Sequence, residues 1–199
     1  MRTPEDDLRD RLTDIIRSLL GDDYISLDIE AVEIAEDLSC DKTSIYCSYS
    51  LSSDEEVAIV EGTGTGVVDA LYNAFVNRIG EDYKSLRELK LVDFRLSADG
   101  LNKYRVKPGT GAFVEAQMMI GGDADRILFR SRSRSMNTAA IKVVSAAIEY
   151  FINSEIAFLR LKMLYADAKK RNREDLAIKY RRKIIELVSA NSYAKILDR

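Results

Sequence analysis

The chain has 199 residues, 46% of them hydrophobic, with no histidine, two cysteines and a formal net charge of −3. A chain of this length can bury about 70% of its unfolded surface, so it can fold without cross-links. The lack of imidazole excludes Ser-His and Cys-His catalysis and histidine metal sites. The net charge excludes a whole-chain attraction to nucleic acid or anionic membrane. We therefore expect a binding protein rather than an enzyme, with no cofactor and no metal.

The cysteines and the start of the chain bear on its compartment. Cys40 and Cys47 are too few for a disulfide framework or a zinc site. Cys47 alternates with Ile45 and Tyr49, which predicts a buried side chain and a reducing, intracellular environment. The acidic start lacks an apolar signal segment, and no run approaches the roughly 18 apolar residues of a membrane span. We expect a soluble, cytoplasmic protein without a membrane partner.

Residues 1–22 predict one amphipathic helix. Thr3 or Pro4 opens the helix, apolar residues recur every three or four positions, and Gly21 follows its end. Because one face is apolar, this helix needs a surface to pack against.

Residues 24–80 predict three strands and a helix. Alternating apolar and polar residues indicate strands, and a slip of that alternation near Ala31 predicts a bulge. The expected elements are strands at Ile25–Ile34, Thr43–Leu51 and Glu56–Val60, a glycine loop, and a helix at Val67–Ile79.

Residues 87–153 repeat this order. The expected elements are strands at Leu89–Leu96, Ala112–Ile120 and Ala124–Arg130, a loop at Asp99–Gly111, a turn at Gly121–Asp123, and a helix at Thr138–Asn153 with Asn137 or Thr138 as N-cap. Neither three-stranded unit can cover its own apolar face. We therefore predict an α+β domain, residues 24–154, in which two tandem β-β-β-α units pack about a pseudo-twofold axis.

Residues 155–199 predict a helical hairpin. Two apolar sets at helical spacing flank the polar segment Lys169–Arg173. The hairpin is expected to pack on the core or on a second subunit.

The run from Glu61 to Phe75 is the most informative stretch, because a strand leads through glycines directly into a helix. Gly64 and Gly66 can adopt positive φ and permit close approach of a ligand. The helix start offers unpaired N–H groups to a carboxylate or phosphate. Asp69 either binds an ammonium group or only caps its helix, and the glycines alternatively form only a tight connection.

Three alternating arginines precede the second predicted helix. Arg130, Arg132 and Arg134 share one face if the strand persists, beside a helix start that favours anions. This arrangement predicts either an anion site or, more economically, a solvated strand end.

The tandem units and the glycine motif resemble the C-terminal regulatory (dimerisation) domain of 2-isopropylmalate synthases and citramalate synthases. Residues 24–153 carry the likeness. The family's Gly-Asn-Gly-Pro-Val-Asp-Ala motif is similar to residues 64–70, with Thr65 and Val67 in place of Asn and Pro. The second unit departs from the family pattern, because Ser131–Thr138 lack its glycines and acidic residue.

This resemblance implies a regulatory module that binds leucine or isoleucine and acts through a dimer. The family's catalytic (β/α)₈ barrel has no counterpart here, so the resemblance implies either a stand-alone regulatory or sensor domain or an excised one. We expect a homodimer, either alone or with a separate catalytic subunit. The alternative is a scaffold or a nucleic-acid- or anion-binding protein that kept the fold and lost the effector; nucleic acid is the less expected partner. The predicted effector-binding residues are Gly64, Thr65, Gly66, Val67, Val68, Asp69, Ala70, Asn137 and Thr138.

Overall fold

The computed structural model describes residues 3–54, 56–89, 91–99, 113–121 and 126–190. Within these ranges the protein is mixed α+β, with two three-stranded antiparallel sheets and four α-helices. The elements are α1 (Pro4–Leu20), β1 (Leu27–Asp37), β2 (Lys42–Leu51), β3 (Ala58–Gly64), α2 (Val67–Ile79), β4 (Leu91–Asp99), β5 (Phe113–Gly121), β6 (Arg126–Ser133), α3 (Met136–Lys170) and α4 (Glu174–Ala190). Short 3₁₀ helices occupy Gly21–Asp23 and Lys84–Glu88.

The first sheet has the strand order β1-β2-β3 and packs one face against α2. The predicted bulge is confirmed, because the register of β1 on β2 shifts between Ile29 and Ala31. Tyr49 of β2 meets Phe75 of α2 edge to face, with ring centroids 5.0 Å apart. Cys47 is fully buried on this face as predicted, and burial raises the pKa of its thiol to about 11. The thiol is therefore protonated and unreactive at neutral pH.

The second sheet has the order β4-β5-β6 and packs against α3. Its inner face carries Met118, Ile120, Ile127 and Phe129, all buried. Phe129 contacts the aromatic ring of Tyr150 on α3 at a centroid distance of 5.6 Å. The first strand of this sheet is also irregular, with a register shift between Leu91 and Asp93.

Helix α1 packs along β6, the last strand of the second sheet, and against α3. Thr3 and Asp6 form a reciprocal capping box at the start of the helix, as expected for Thr-x-x-Asp before an apolar run. Arg9 donates to the carbonyl oxygen of Leu128 in β6 at 3.1 Å, and Asp6 pairs with Arg130 at 3.0 Å. The apolar face of α1 is buried, and β6 and α3 provide the surface that this helix was predicted to need.

The helix that was predicted to end at Asn153 continues without a break to Lys170. The predicted division between residues 24–154 and 155–199 therefore lies inside α3. The reason is local, since no glycine or proline interrupts the segment. Asn153 is fully buried, and its side chain accepts from the N–H of Ile25 at 2.8 Å and donates to the carbonyl oxygen of the same residue at 2.6 Å. Asn153, at which the helix was predicted to end, instead fixes the segment before β1.

The glycine segment also differs from its prediction. Strand β3 runs to Gly64, with Gly62 opposite Ile45 and Gly64 opposite Thr43 in β2, so these glycines belong to a strand and not to a loop. The expected positive φ is wrong at Gly66, whose φ of −171° is extended. Among the described glycines, Gly21 and Gly121 have positive φ.

Two predicted connections lie largely outside the described residues. Asp99 ends β4 and Gly121 ends β5, and the remainder of the Asp99–Gly111 loop and the Gly121–Asp123 turn is not described. In the described part of the chain, no helix combines the length and apolarity needed to cross a bilayer.

Candidate ligand-binding site

The connection from β3 to α2 brings the helix against the strand backbone. A Cβ atom at Gly62 would lie 2.3 Å from the carbonyl oxygen of Ala70, and one at Gly64 would lie 2.5 Å from the amide nitrogen of Ala70. Both distances are far shorter than van der Waals contact, so only glycine fits at these two positions. The glycines are therefore required for close helix packing, which was one of the two predicted roles.

Asp69 is bound within this connection. The N–H of Thr65 donates to its Oδ2 at 3.0 Å, which orders the residue before the N-cap. The carboxylate is exposed, and no described residue donates a hydrogen bond to its Oδ1. One oxygen thus serves the local structure while the other remains open to a ligand.

The first turn of α2 has unused backbone donors. Its N-cap is Gly66, which has no side chain to cap the helix. The first intrahelical bond runs from the N–H of Ala70 to the carbonyl oxygen of Gly66 at 2.9 Å. Among the described residues, no acceptor bonds to the amides of Val67, Val68 and Asp69. These are the positive-dipole groups that bind carboxylates at helix N-termini.

The start of α3 is capped by Ser135 and not by Asn137 or Thr138, which corrects the predicted N-cap. The side chain of Ser135 accepts from the N–H of Thr138 at 3.3 Å, because its extended backbone places the hydroxyl beneath the first turn. The amides of Met136 and Asn137 have no acceptor among the described residues. Two open donors therefore remain at this second helix start.

One cleft of about 280 Å³ joins the two helix starts. It contains six of the predicted effector residues, and its apolar wall is β4. Its lining residues are Thr65, Gly66, Val67, Val68, Asp69, Leu91, Phe94, Leu96, Met136, Asn137 and Ala140. Pockets for drug-sized ligands hold about 300–1,000 Å³, so this cleft has the size for a smaller molecule.

Three predicted effector residues do not line this cleft. Ala70 is fully buried against β3, and Gly64 packs against Asp69. Thr138 lines a different cleft, between β1 and α3, together with Ile29 and Val32. The motif therefore contributes to the cleft through residues 65–69 and supports it through its other members.

A second, smaller cavity of about 150 Å³ adjoins the first and shares Val68, Asp69 and Leu91 with it. Its other walls are mainly apolar, including Met118, Ile120, Val144, Ala147 and Ile148. Tyr72 also lines this cavity, but its hydroxyl donates to the carbonyl oxygen of Leu86. Burial of the side chain, and to a smaller extent the negative charge of Glu88, raise the pKa of Tyr72 to about 12. This tyrosine is therefore not an acid or base at neutral pH.

Asp69 is the one charged side chain among the described residues that line these two cavities. The site thus combines five open backbone donors, one carboxylate and an apolar recess. This set matches a small molecule that carries an anionic group, a cationic group and an apolar group.

The arginine row lies on the other face of the second sheet. Arg130 and Arg132 stand opposite Gln117 and Glu115, whereas Ala116 and Met118, which face α3, are buried. Arg130 is paired with both Asp6 and Glu115, at 3.0 Å and 2.9 Å.

The other two arginines pack on an aromatic ring. The guanidinium carbons of Arg132 and Arg134 lie 4.4 Å and 5.5 Å from the ring centre of Phe113. The row is therefore separated from the cleft by the sheet.

Sequence reasoning missed the β4 wall of the cleft. Leu91, Phe94 and Leu96 were predicted only as strand residues, since alternation does not show which neighbouring helix a strand edge meets. Met136 and Ala140 could have been found from the sequence, because they lie within one helical turn of Asn137, which was predicted to bind the effector.

In the described ranges, no group of three or more Cys, Asp or Glu side chains is placed to hold a metal ion. No model of a known protein family matches this chain, and no curated protein matches it either. The resemblance to the 2-isopropylmalate synthase regulatory domain therefore remains a prediction from the motif.

Proposed function

We propose that this protein is an amino-acid-binding regulatory module whose effector is a branched-chain amino acid such as leucine or isoleucine. The observation that carries the proposal is the cleft in which the starts of α2 and α3 meet beside Asp69. A zwitterionic ligand suits it, because backbone amides favour a carboxylate and a carboxylate favours an ammonium group.

The ligand's side chain would occupy the adjoining apolar cavity. That cavity is lined by aliphatic residues of β5 and α3, such as Met118, Ile120 and Val144. Burial of each methylene contributes about 0.8 kcal/mol. Leucine and isoleucine should therefore bind more tightly than alanine by at least an order of magnitude.

The proposal includes the architecture implied by the resemblance. The chain order β-β-β-α occurs twice, in residues 27–79 and 91–170, and we propose that the two units are related by a pseudo-twofold axis. A homodimer, and action on a separate catalytic subunit in branched-chain amino-acid biosynthesis, form part of the same proposal. It assigns no catalytic residue to this chain.

Titration calorimetry with three matched ligands tests the chemistry of the site. Leucine carries both charged groups, 4-methylpentanoate lacks the amine, and isoamylamine lacks the carboxylate. We expect leucine to bind at least about tenfold more tightly than either analogue, because each analogue loses a charge-assisted hydrogen bond.

Asp69→Asn is the matched variant, since it keeps the bond from Thr65 and removes the charge. It should weaken leucine binding about tenfold or more and leave 4-methylpentanoate binding unchanged. Glu61→Gln is the control, because Glu61 is an exposed carboxylate on the opposite face of β3. No binding of any branched-chain amino acid at millimolar concentration would refute the proposal.

The competing function, a scaffold or anion-binding protein, rests on Arg132 and Arg134 packed on Phe113. Such binding would fall steeply with salt. The ion pairs of Arg130 count against it, because that charge is already compensated. A salt-dependent affinity for RNA together with no affinity for amino acids would favour this alternative.

A further inference from the structure

The outer edges of the two sheets differ in how they are protected. Beside β6, Arg9 of α1 donates to the Leu128 carbonyl oxygen. Strand β3 is short, and the side chain of Asn73 donates to its Thr63 carbonyl oxygen at 2.9 Å. Strand β1 carries five acidic residues in Leu27–Asp37. Covering elements and edge charges are the devices by which proteins prevent strand addition.

Within the described residues no element covers strand β4, its charged residues are of both signs, and its one bulge lies at its start, between Leu91 and Asp93. The strand lies at the edge of its sheet, and no described group forms a hydrogen bond to it from the side away from β5. Its side chains are nevertheless apolar and accessible, with Leu91 52%, Val92 42% and Leu96 39% exposed. An open apolar edge of this kind is a template for another strand.

We propose that β4 is a dimer interface, at which it pairs antiparallel with β4 of a second copy about a twofold axis through Phe94. It rests on the homodimer of the proposed function, for which it assigns the interface, and it does not depend on any ligand of the cleft. The β4-β5-β6 sheets of the two copies would then join into one continuous six-stranded sheet.

The sequence of β4 is complementary to itself in this register. Asp93 stands opposite Arg95 of the second copy, and Arg95 opposite its Asp93, so each dimer gains two opposite-charge pairs. Both residues lie on the outer face, where they already form an ion pair within the chain at 2.6 Å. Opposite charges directly across an antiparallel pair are stabilising.

The apolar residues match in the same register. Phe94 lies opposite its own copy, and Val92 lies opposite Leu96, which is on the inner face. Val92 is the extra residue of the β4 bulge, with no partner residue in β5. The pairing thus places the two Phe94 side chains together on the inner face and the charges together on the outer face.

A single-cysteine experiment tests the axis. Residues paired across antiparallel strands have Cα atoms about 4.5–5.5 Å apart, within reach of a disulfide. Phe94→Cys in a Cys40→Ser background should form a disulfide-linked dimer in oxidised glutathione. Cys47 does not interfere, because it is fully buried.

Ser97→Cys in the same background is the matched control. In the proposed register its own copy lies about 20 Å away, at about 3.4 Å per residue, so it should stay monomeric on a non-reducing gel. Equal cross-linking at both positions would contradict the twofold through Phe94.

A charge swap tests the register without altering apolar packing. Asp93→Arg or Arg95→Asp alone places like charges opposite each other twice per dimer, and should raise the dimer Kd about tenfold in sedimentation velocity. The double variant Asp93→Arg/Arg95→Asp restores both pairs and should return Kd to within about threefold of the natural protein. Glu33→Lys on β1 is the control and should leave the Kd unchanged.

Two results would overturn the proposal. One is a natural protein that remains monomeric up to about 500 μM, a concentration at which even a weak edge contact associates. The other is a dimer whose Kd responds to Glu33→Lys and ignores both single substitutions in β4.

Discussion

The connections that lead into α2 and α3 have the same spacing but different chemistry. Gly62 lies four positions before the N-cap of α2, so close to the Ala70 carbonyl oxygen that a Cβ would stand 2.3 Å from it. Ser131 lies four positions before the N-cap of α3, and its hydroxyl donates to the Ala139 carbonyl oxygen. A backbone contact in the first connection is thus a side-chain hydrogen bond in the second.

This difference changes how many backbone donors each helix start offers to a ligand. In the second connection the Ser135 hydroxyl accepts a hydrogen bond from the N–H of Thr138, one of the N-terminal amides of α3. In the first, the glycine N-cap leaves the corresponding amide, that of Asp69, without an acceptor in the described part of the chain. Glycine therefore acts here through the side chain it lacks, both in packing and in capping, rather than through a left-handed backbone.

The two sheets also differ in how they are covered. Helix α1 lies along strand β6 of the second sheet, where Asp6 pairs with Arg130. The outer face of the first sheet leaves Tyr46 and Ile59 accessible, at 41% and 49%. The first sheet and its helix are held chiefly by their mutual face, whereas the second depends also on an added helix.

The largest effect is expected at the first connection. Gly62→Ala places a methyl group on the Ala70 carbonyl oxygen and the Ala74 backbone. Helix α2 must shift to relieve this overlap, and we expect a loss of about 3 kcal/mol in the free energy of unfolding. Urea denaturation followed by circular dichroism measures it.

Gly66→Ala is the control for that experiment. No atom lies within 4 Å of a Cβ built at Gly66, and its backbone is extended. The loss should be at most about 0.5 kcal/mol. Equal losses at both positions would show that the strand–helix distance does not matter, and the comparison between the two connections would fail.

The α+β class and most of the secondary structure could be predicted from the sequence, because their signals are local. The alternation in β2, the slip near Ala31 and the Thr3–Asp6 cap each depend on residues within one element. The apolar stripe of α2 and the glycine after it likewise locate that helix to its last residue.

The remainder depends on contacts between distant segments. Asn153 resembled a helix end, but its amide bonds to Ile25, which is far away in the sequence. Gly62 and Gly64 resembled a loop, because the proximity of α2 to β3 cannot be read from either segment alone. The β4 wall of the cleft was missed for the same reason, since Leu91 and Phe94 meet the α2 start only in the folded chain.

A smaller loss is expected when the cover of the second sheet is weakened. Burial raises the pKa of Asp6, but hydrogen bonds from Thr3 and Arg130 outweigh it, so the pKa lies below the usual 3.8. Asp6→Asn should lower the free energy of unfolding by about 2 kcal/mol at pH 7, because a buried ion pair loses its charge. Asp7→Asn, on the exposed side of the same turn, should cost at most about 0.5 kcal/mol.

The pH dependence of the Asp6→Asn difference has a definite sign. The folded-state pKa is depressed, so the stabilisation is complete above the unfolded pKa of about 3.9 and is lost as pH falls through the folded value. The difference in free energy of unfolding between the natural protein and Asp6→Asn should therefore be constant from pH 7 to 5 and decrease below about pH 4. Amide exchange should increase in β6 and not in β2; an increase in both sheets would contradict a local role of α1.

The smallest effect is expected at the second helix start. Ser135→Ala removes the hydroxyl that accepts the Thr138 N–H, and the loss of such a cap costs about 1 kcal/mol. Ser135→Gly should cost only a few tenths of that, because a glycine N-cap leaves its amide to water, as Gly66 does at α2. Ser135→Gly also frees the Thr138 amide without moving the helix. A thermal melt that ranks glycine below alanine at this position would show that the serine fixes the backbone of the connection and not the amide of the first turn.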